Sequence, residues 1–326
     1  MLLQSLRHTL GLLAMAAACV PSLATAQDYP AKPIRVVIPY AAGGAGDIAL
    51  RPIVPALEER LGQRLVIENK PGASGNIGAA EVARAAPDGY TLLVGGGNNF
   101  ASNQFLYRNM SFDPLAVFDL VALITNSPTV VVSHPSLPVA SLRELAAHAK
   151  ANPGKLNFPS PGVGTPPQLS GEYFSSLAGV QMVHIPFNGS PPAVIALQQG
   201  EAQVAFYTLG PITPLVRSGK VRVLAVAATA RLPALPDAPT TAEAGFPDLL
   251  TGSWQAVAAP KGVDARILDR LNADFRAVLA NPAVKKRLED IGTQAGDLAR
   301  PELAAFWRTD AARWKRVVET ANIKAD

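Results

Sequence analysis

From Ile34 onward, short apolar runs alternate with glycine-rich breaks and with stretches of helical spacing. Ile34 to Ile38 is a β-branched run that reads as a buried parallel strand. The loop from Pro39 to Gly46 follows. Asp47 to Leu61 then places Ile48, Val54, Leu57 and Leu61 at helical intervals, with Pro52 and Pro55 predicting a kink and Gly62 a stop. Leu65 to Ile67 is the next strand and Pro71 to Gly75 the next loop. Asn76 to Ala85 reads as a helix with Asn76 as its N-cap. Thr91 to Val94 is a third strand, running into Gly95 to Asn99.

The same order returns later. Leu156 to Phe158, Gln181 to Ile185 and Ala202 to Phe206 read as strands, separated by the loops Pro159 to Thr165 and Pro186 to Ser190. Helices are expected over Gln168 to Ala178 and Ala193 to Gln199, each led by a proline pair that suits a first turn. Two α/β lobes with parallel-rich sheets follow from this grammar. In such sheets ligands bind beyond the carboxyl ends of the strands, where these loops lie. Leu120 to Val132 reads as the crossing between lobes and Ser253 to Ala258 as the return. This gives one lobe of residues 27–125 plus 255–326 and another of 126–254. Beyond Val263 the chain is helical, and Trp307 and Trp314 are expected to pack the last helix on the first lobe.

Residues 1–26 read as a signal peptide: Arg7 and His8, an apolar run from Leu10, then Ala24-Thr25-Ala26 at the cleavage positions. The run is too short for a bilayer. Lipid attachment at Cys19, the chain's one cysteine, is a second reading of the same leader. Either way the expected location is periplasmic, and the exported chain has neither disulfide nor thiol chemistry. Arg7 is the leader's single Lys or Arg, so 28 basic residues face 25 acidic ones after it, a net of +3. That balance, with no basic run interleaved with aromatics, gives no support to nucleic-acid binding.

The first loop matches a dinucleotide fingerprint at Gly44, Gly46 and Ala49, with Glu68 ending the following strand. The match is discounted. Several residues separate strand from glycine, prolines interrupt the helix, and the leader exports the chain. The loop's glycines still suit close backbone approach to an anion, or simply tight turns. Lys70 is the obvious cation in these loops, so backbone and hydroxyl donors are expected to do most of the holding. No serine-nucleophile elbow occurs. His134, His148 and His184 lack metal-ligand spacing, and His184 reads as a core histidine within an apolar strand. No enzyme activity, cofactor or metal is expected.

Several segments together resemble the Bug-type, TctC-like receptors of tripartite tricarboxylate transporters. They are Tyr29–Gly44 (YPAKPIRVVIPYAAGG), Glu68–Gly78 (ENKPGASGNIG), Ala86–Leu93 (APDGYTLL), Gly154–Asn157 (GKLN), Ser160–Gly164 (SPGVG), Pro239–Gly245 (PTTAEAG) and Ala321–Ile323 (ANI). The resemblance implies a two-lobe periplasmic-binding-protein fold of the Venus-flytrap, type II-like kind, monomeric, closing on a small organic carboxylate and working with membrane transporter subunits. It implies ligand contacts from Tyr40, Ala42, Gly43, Asp47, Gly97 and Asn98 in the first lobe. From the second it implies Ser160, Gly164, Thr165, Asn188, Phe206 and Tyr207. Tyr40 would wall the pocket, and Ser160 and Thr165 would offer hydroxyls. Three positions depart from the family pattern: Tyr207 where many relatives are acidic, Phe187-Asn188 where many have Tyr-Lys, and Gln168 where many have histidine. Loss of the acidic group at Tyr207 points away from amino acids. The expected ligand is a plain mono- or dicarboxylate, or an aromatic acid near Phe206 and Tyr207. A ligand-sensing role beside a sensor kinase needs the same closure and stays open.

Overall fold

The computed structural model describes residues 29–108, 110–290, 292–321 and 323. The expected leader, with Cys19, lies outside them. From Lys32 onward the chain forms one compact unit. Strand β1 is Ile34–Ile38, β2 Leu65–Asn69 and β3 Thr91–Gly96. Between β1 and β2 the helical stretch breaks as its prolines require. It runs Ala45–Leu50, tightens to a 3₁₀ turn at Arg51–Ile53, then resumes over Val54–Leu61 and stops at left-handed Gly62. The expected N-cap at Asn76 is corrected. Helix Asn76–Ala83 is capped by Gly75, and Asn76 is its first residue. The Asn76 Oδ1 atom instead accepts from Asn103 Nδ2 at 2.7 Å, a tertiary bond that competes with the local cap.

The later strands are β4 (Phe118–Ser133), β5 (Asn157–Ser160), β6 (Val183–Pro186), β7 (Val204–Thr208), β8 (Arg222–Val226) and β9 (Gly252–Pro260). Parallel pairing joins β2 to β1, β1 to β3, and β5 to β6. Beside β3 runs β9, antiparallel, and beside β9 runs β4. The sixteen residues of β4 pair with β9 from Phe118 to Pro128, then with β7 and β8 from Thr129 onward. The crossing and return read from the sequence are therefore two strands of one ladder. β6, read from the sequence as a strand over Gln181 to Ile185, is shorter, Val183–Pro186. It borders β5 alone in a two-stranded sheet, and Val183 is 43% exposed.

Burial follows strand parity. Within β7, Phe206 packs on one face with Phe158 and Phe174, and Tyr207 on the other with Val130 and Ile212. Helix Arg300–Ala321 carries Trp307 and Trp314 into the core of β3 and β9, as their spacing predicts. Phe100 stacks on Trp254 at 5.6 Å and meets Trp307 edge-on at 6.1 Å. Each such side chain contributes roughly 1.5–3 kcal/mol of burial, and Trp307 Nε1 also donates to the Phe100 carbonyl at 2.8 Å. Gly97 closes this packing, because a Cβ there would lie 2.6 Å from Trp254 Nε1. The loop after β3 is thus set by the core beneath it.

Asp310 is the polar anchor of that core. It accepts from Trp254 Nε1 at 2.8 Å and Trp314 Nε1 at 3.1 Å, and it pairs with Arg313. Burial pushes its carboxyl above the usual range. Asp310→Ala should therefore destabilise the fold by roughly 1–3 kcal/mol for each orphaned indole N–H. Urea unfolding measures this, and an unchanged midpoint would mean that both indoles find other acceptors.

Candidate functional site

Three loops leave the carboxyl ends of β1, β3 and β2, and they are tied together at one residue. Ala73 and Ser74 adopt left-handed backbone, at φ 46° and 50°, which side-chain-bearing residues reach only at a cost of about 1–3 kcal/mol each. The Ser74 carbonyl accepts from Asn98 Nδ2 at 3.1 Å, Asn99 Nδ2 at 3.0 Å and Asn103 Nδ2 at 3.2 Å. Its hydroxyl oxygen accepts from Tyr107 at 2.7 Å. The Tyr40 hydroxyl lies 2.8 Å from both Asn98 Oδ1 and Asn99 Oδ1, so its one hydrogen is shared between them. Burial pushes the Tyr40 phenol above its usual range and keeps it a donor. Asn69 Nδ2 donates to the Tyr40 carbonyl at 2.9 Å. Asn99 Oδ1 also accepts from Gly96 N at 3.1 Å.

The first loop is held from its own helix. Gly43 N, at φ 78°, donates to Asp47 Oδ2 at 2.6 Å, and Asp47 Oδ1 lies 3.1 Å from Arg51. Asp47 is buried, whereas Ala42 and Gly43 are exposed. Lys70, the expected cation, lies 3.7 Å from Glu68 and 3.8 Å from Glu81, which also pair with Arg35. Arg35 holds the Glu68 carboxyl below its usual range. The cations of these loops are thus matched by local acids, which leaves hydrogen-bond donors as the means of holding an anion.

The loop after β5 repeats the device with a neutral group. Gly164 N, also at φ 78°, donates to Gln168 Oε1 at 2.7 Å. Ser160 and Thr165 differ from their expected presentation. Both hydroxyls turn onto the Gly162 carbonyl, at 2.9 and 2.6 Å, and Ser160 is fully buried. His184 Nε2 lies 2.6 Å from Ser160 Oγ. With the serine proton on Gly162, the histidine supplies the hydrogen of that contact. Its ring lies 5.2 Å from Phe158, and burial lowers its pKa to about 4. Asn188 is exposed on the next loop.

Phe206 is a correction. Expected as a ligand contact, it is a core residue at 1% exposure, with ring centroids 5.9 Å from Phe158 and 5.5 Å from Phe174. Tyr207 is 2% exposed, and its hydroxyl lacks a hydrogen-bond partner among the described residues. Gly164 meets the first-half loops directly. A Cβ there would lie 3.5 Å from Leu106 and 3.8 Å from the Tyr107 hydroxyl. Sequence reasoning named Tyr40, Gly97 and Asn98 but passed over Ser74, Asn99, Asn103 and Tyr107. The spacing of Asn99 and Asn103, one helical turn apart, was the available signal. Among the described residues no group of His, Asp and Glu is arranged to hold a metal ion.

Two outcomes test this geometry. Asn99→Leu strips partners from Tyr40, Gly96 and Ser74 and should cost roughly 1–3 kcal/mol, with faster hydrogen exchange at the Gly96 amide. For His184, the folded pKa lies below the ordinary 6.5. The unfolded chain therefore takes up the proton first as pH falls, and stability is lost from about pH 6.5 down towards pH 4. In melts across that range His184→Phe should gain on the parent as pH falls. Parallel curves would show that His184 titrates normally.

The profile described as "Tripartite tricarboxylate transporter family receptor" matches residues 49–323. Protein BugT of Bordetella pertussis is 32% identical, covering 95% of this chain and 95% of its own length. Two solved structures from Rhodopseudomonas palustris are similar throughout. Rpa4515 with adipate is 35% identical at a TM-score of 0.82, covering 91% of this chain and 99% of that one. MatC with bound malate is 33% identical at 0.78, covering 89% and 100%. The α/β fold of β1 to β9 is accordingly that of a periplasmic solute-binding protein, and the chain belongs to the tripartite tricarboxylate transporter receptor (TctC, Bug-type) family.

Proposed function

We propose that this chain is an extracytoplasmic receptor that closes two lobes on a small organic carboxylate and hands it to a tripartite tricarboxylate-type membrane transporter. The observation that carries the reading is the convergence of the β1, β2 and β3 loops on Ser74, fixed by amide and hydroxyl groups and with their cations already matched by acids. Such a cradle suits an anion held by hydrogen bonds rather than by an arginine clamp. Adipate and malate in two relatives are of the same chemical class.

The lobes in this reading are residues 27–125 with 255–326, and 126–254. They join where β4 leaves β9 for β7 and β8. Tyr40, Ala42, Gly43, Asp47, Gly97 and Asn98 form the first-lobe side. Gly164, Thr165 and Asn188 form the second, with Ser160 and Gln168 shaping its loop. The Tyr207 hydroxyl, buried with no hydrogen-bond partner among the described residues, brings no negative charge to pair an ammonium group. A carboxylate bridging the lobes favours the closed form by its differential affinity. Export through residues 1–26 places the receptor in the periplasm, and no helix among the described residues is long and apolar enough to cross a membrane.

A thermal-melt screen of the chain from Gln27 against carboxylates, amino acids and sugars tests this. Ligand at a hundred times its dissociation constant stabilises by ~2.7 kcal/mol, a rise of roughly 5–10 °C for a protein of this size. The expected hits are carboxylates alone. Protein shown to be empty by native mass spectrometry, yet indifferent to every carboxylate, would contradict the reading.

A further inference from the structure

The ladder that joins the two halves carries a polar stripe among apolar residues. Thr125 lies directly opposite Gln255, and Ser127 opposite Ser253. Opposed residues in an antiparallel pair share a face, as do alternate residues along a strand, so these four line one face of the β4–β9 crossing. Gln255 and Ser127 are both 5% exposed. Gln255 Oε1 and Ser127 Oγ are buried and have no hydrogen-bond partner among the described residues. Unpaired buried polar atoms are costly, and two on one stripe ask for a polar group brought by something else.

The position of Gln255 says where that group lies. A Cβ added to Gly96 would lie 3.1 Å from Gln255 Nε2, and one added to Gly46 would lie 3.7 Å from its Oε1. The amide therefore sits between the ends of the loops that follow β1 and β3. At the other end of the stripe, Thr129 Oγ1 is 3.3 Å from Ser170 Oγ in helix Pro166–Ala178. The stripe thus spans from the first-half loops to the second half.

We propose that Gln255 is a specificity-determining residue that hydrogen-bonds a hydroxyl group carried by the carboxylate ligand, with Ser127 beside it. This rests on the carboxylate reading above. A carboxylate oxygen only accepts, so it satisfies the amide's N–H and leaves Oε1 unpaired. A hydroxyl donates and accepts, and it matches both amide atoms. An ammonium group would donate to Oε1 as well, but it cannot accept from the amide's N–H and so matches only one of the two amide atoms. The ligand class is then a hydroxy-carboxylate, and the loss of its hydroxyl is what the site detects.

Calorimetry with paired dicarboxylates tests this, using succinate and malate, glutarate and 2-hydroxyglutarate, adipate and 2-hydroxyadipate, with aspartate as the amine control. In the parent protein the hydroxy acid of the accepted length should bind roughly tenfold or more tighter than its plain partner, because a site built to pair a hydroxyl rejects the analogue lacking it. Gln255→Leu should remove most of that preference by weakening the hydroxy acid alone. Its melting temperature without ligand should not fall, since the change removes a buried unpaired amide oxygen. Ser127→Ala should weaken the same member of the pair. A preference unchanged in Gln255→Leu, or tighter binding of aspartate than malate, overturns this proposal while leaving the carboxylate reading standing. Failure of every dicarboxylate to bind the parent overturns both.

Discussion

The left-handed backbone at Ala73 and Ser74 is the constraint on which the first half of the site depends. Such backbone persists only when its surroundings over-determine it. Here three asparagine amides reach the Ser74 carbonyl and Tyr107 reaches its hydroxyl. Two of the asparagines, Asn98 and Asn99, also hold Tyr40, so one carbonyl ties together loops from three strands. Behind them, Gly97 is pressed on Trp254, which ties the third loop to the core built by Phe100, Trp254 and Trp307. These ties order the loops in advance, so in the proposed reading little ligand affinity is spent on ordering them.

The two halves use one local device with different chemistry. A left-handed glycine donates its N–H to the side chain four residues on, at Gly43 with Asp47 and at Gly164 with Gln168. In the first half the acceptor is a buried carboxylate answered by Arg51, and in the second it is a neutral amide. In the second-half loop Ser160 and Thr165 both donate to the Gly162 carbonyl, and His184 backs Ser160. β4 and β9 carry both halves, so a group bound over that ladder touches the elements about which the halves are joined.

Much of this was legible from residue order. The strands β1, β2 and β3, the proline break near Arg51 and the packing of Trp307 and Trp314 follow from spacing and from the fixed φ of proline. Asn76 was misread because the capping preference is local, while its side chain answers a distant Asn103. Phe206 was expected to contact the ligand, because a strand end shows nothing of which face its side chains take until the neighbouring strands are in place. Ser74 and Gln255 gave no sequence signal. Their importance comes from a carbonyl and an amide whose partners, or lack of them, exist only in the assembled fold.

In the proposed reading a carboxylate lies between the halves, against the Ser74-pinned loops and over the β4–β9 ladder. A crystal structure of the protein from Gln27, grown with the tightest-binding carboxylate, tests this most directly. The carboxylate is expected to hydrogen-bond the loop of Tyr40 to Asp47, with Gln255 beneath it and the loop of Ser160 to Thr165 closing from the other side. A ligand bound elsewhere on the chain, or one that touches only one half, would contradict it.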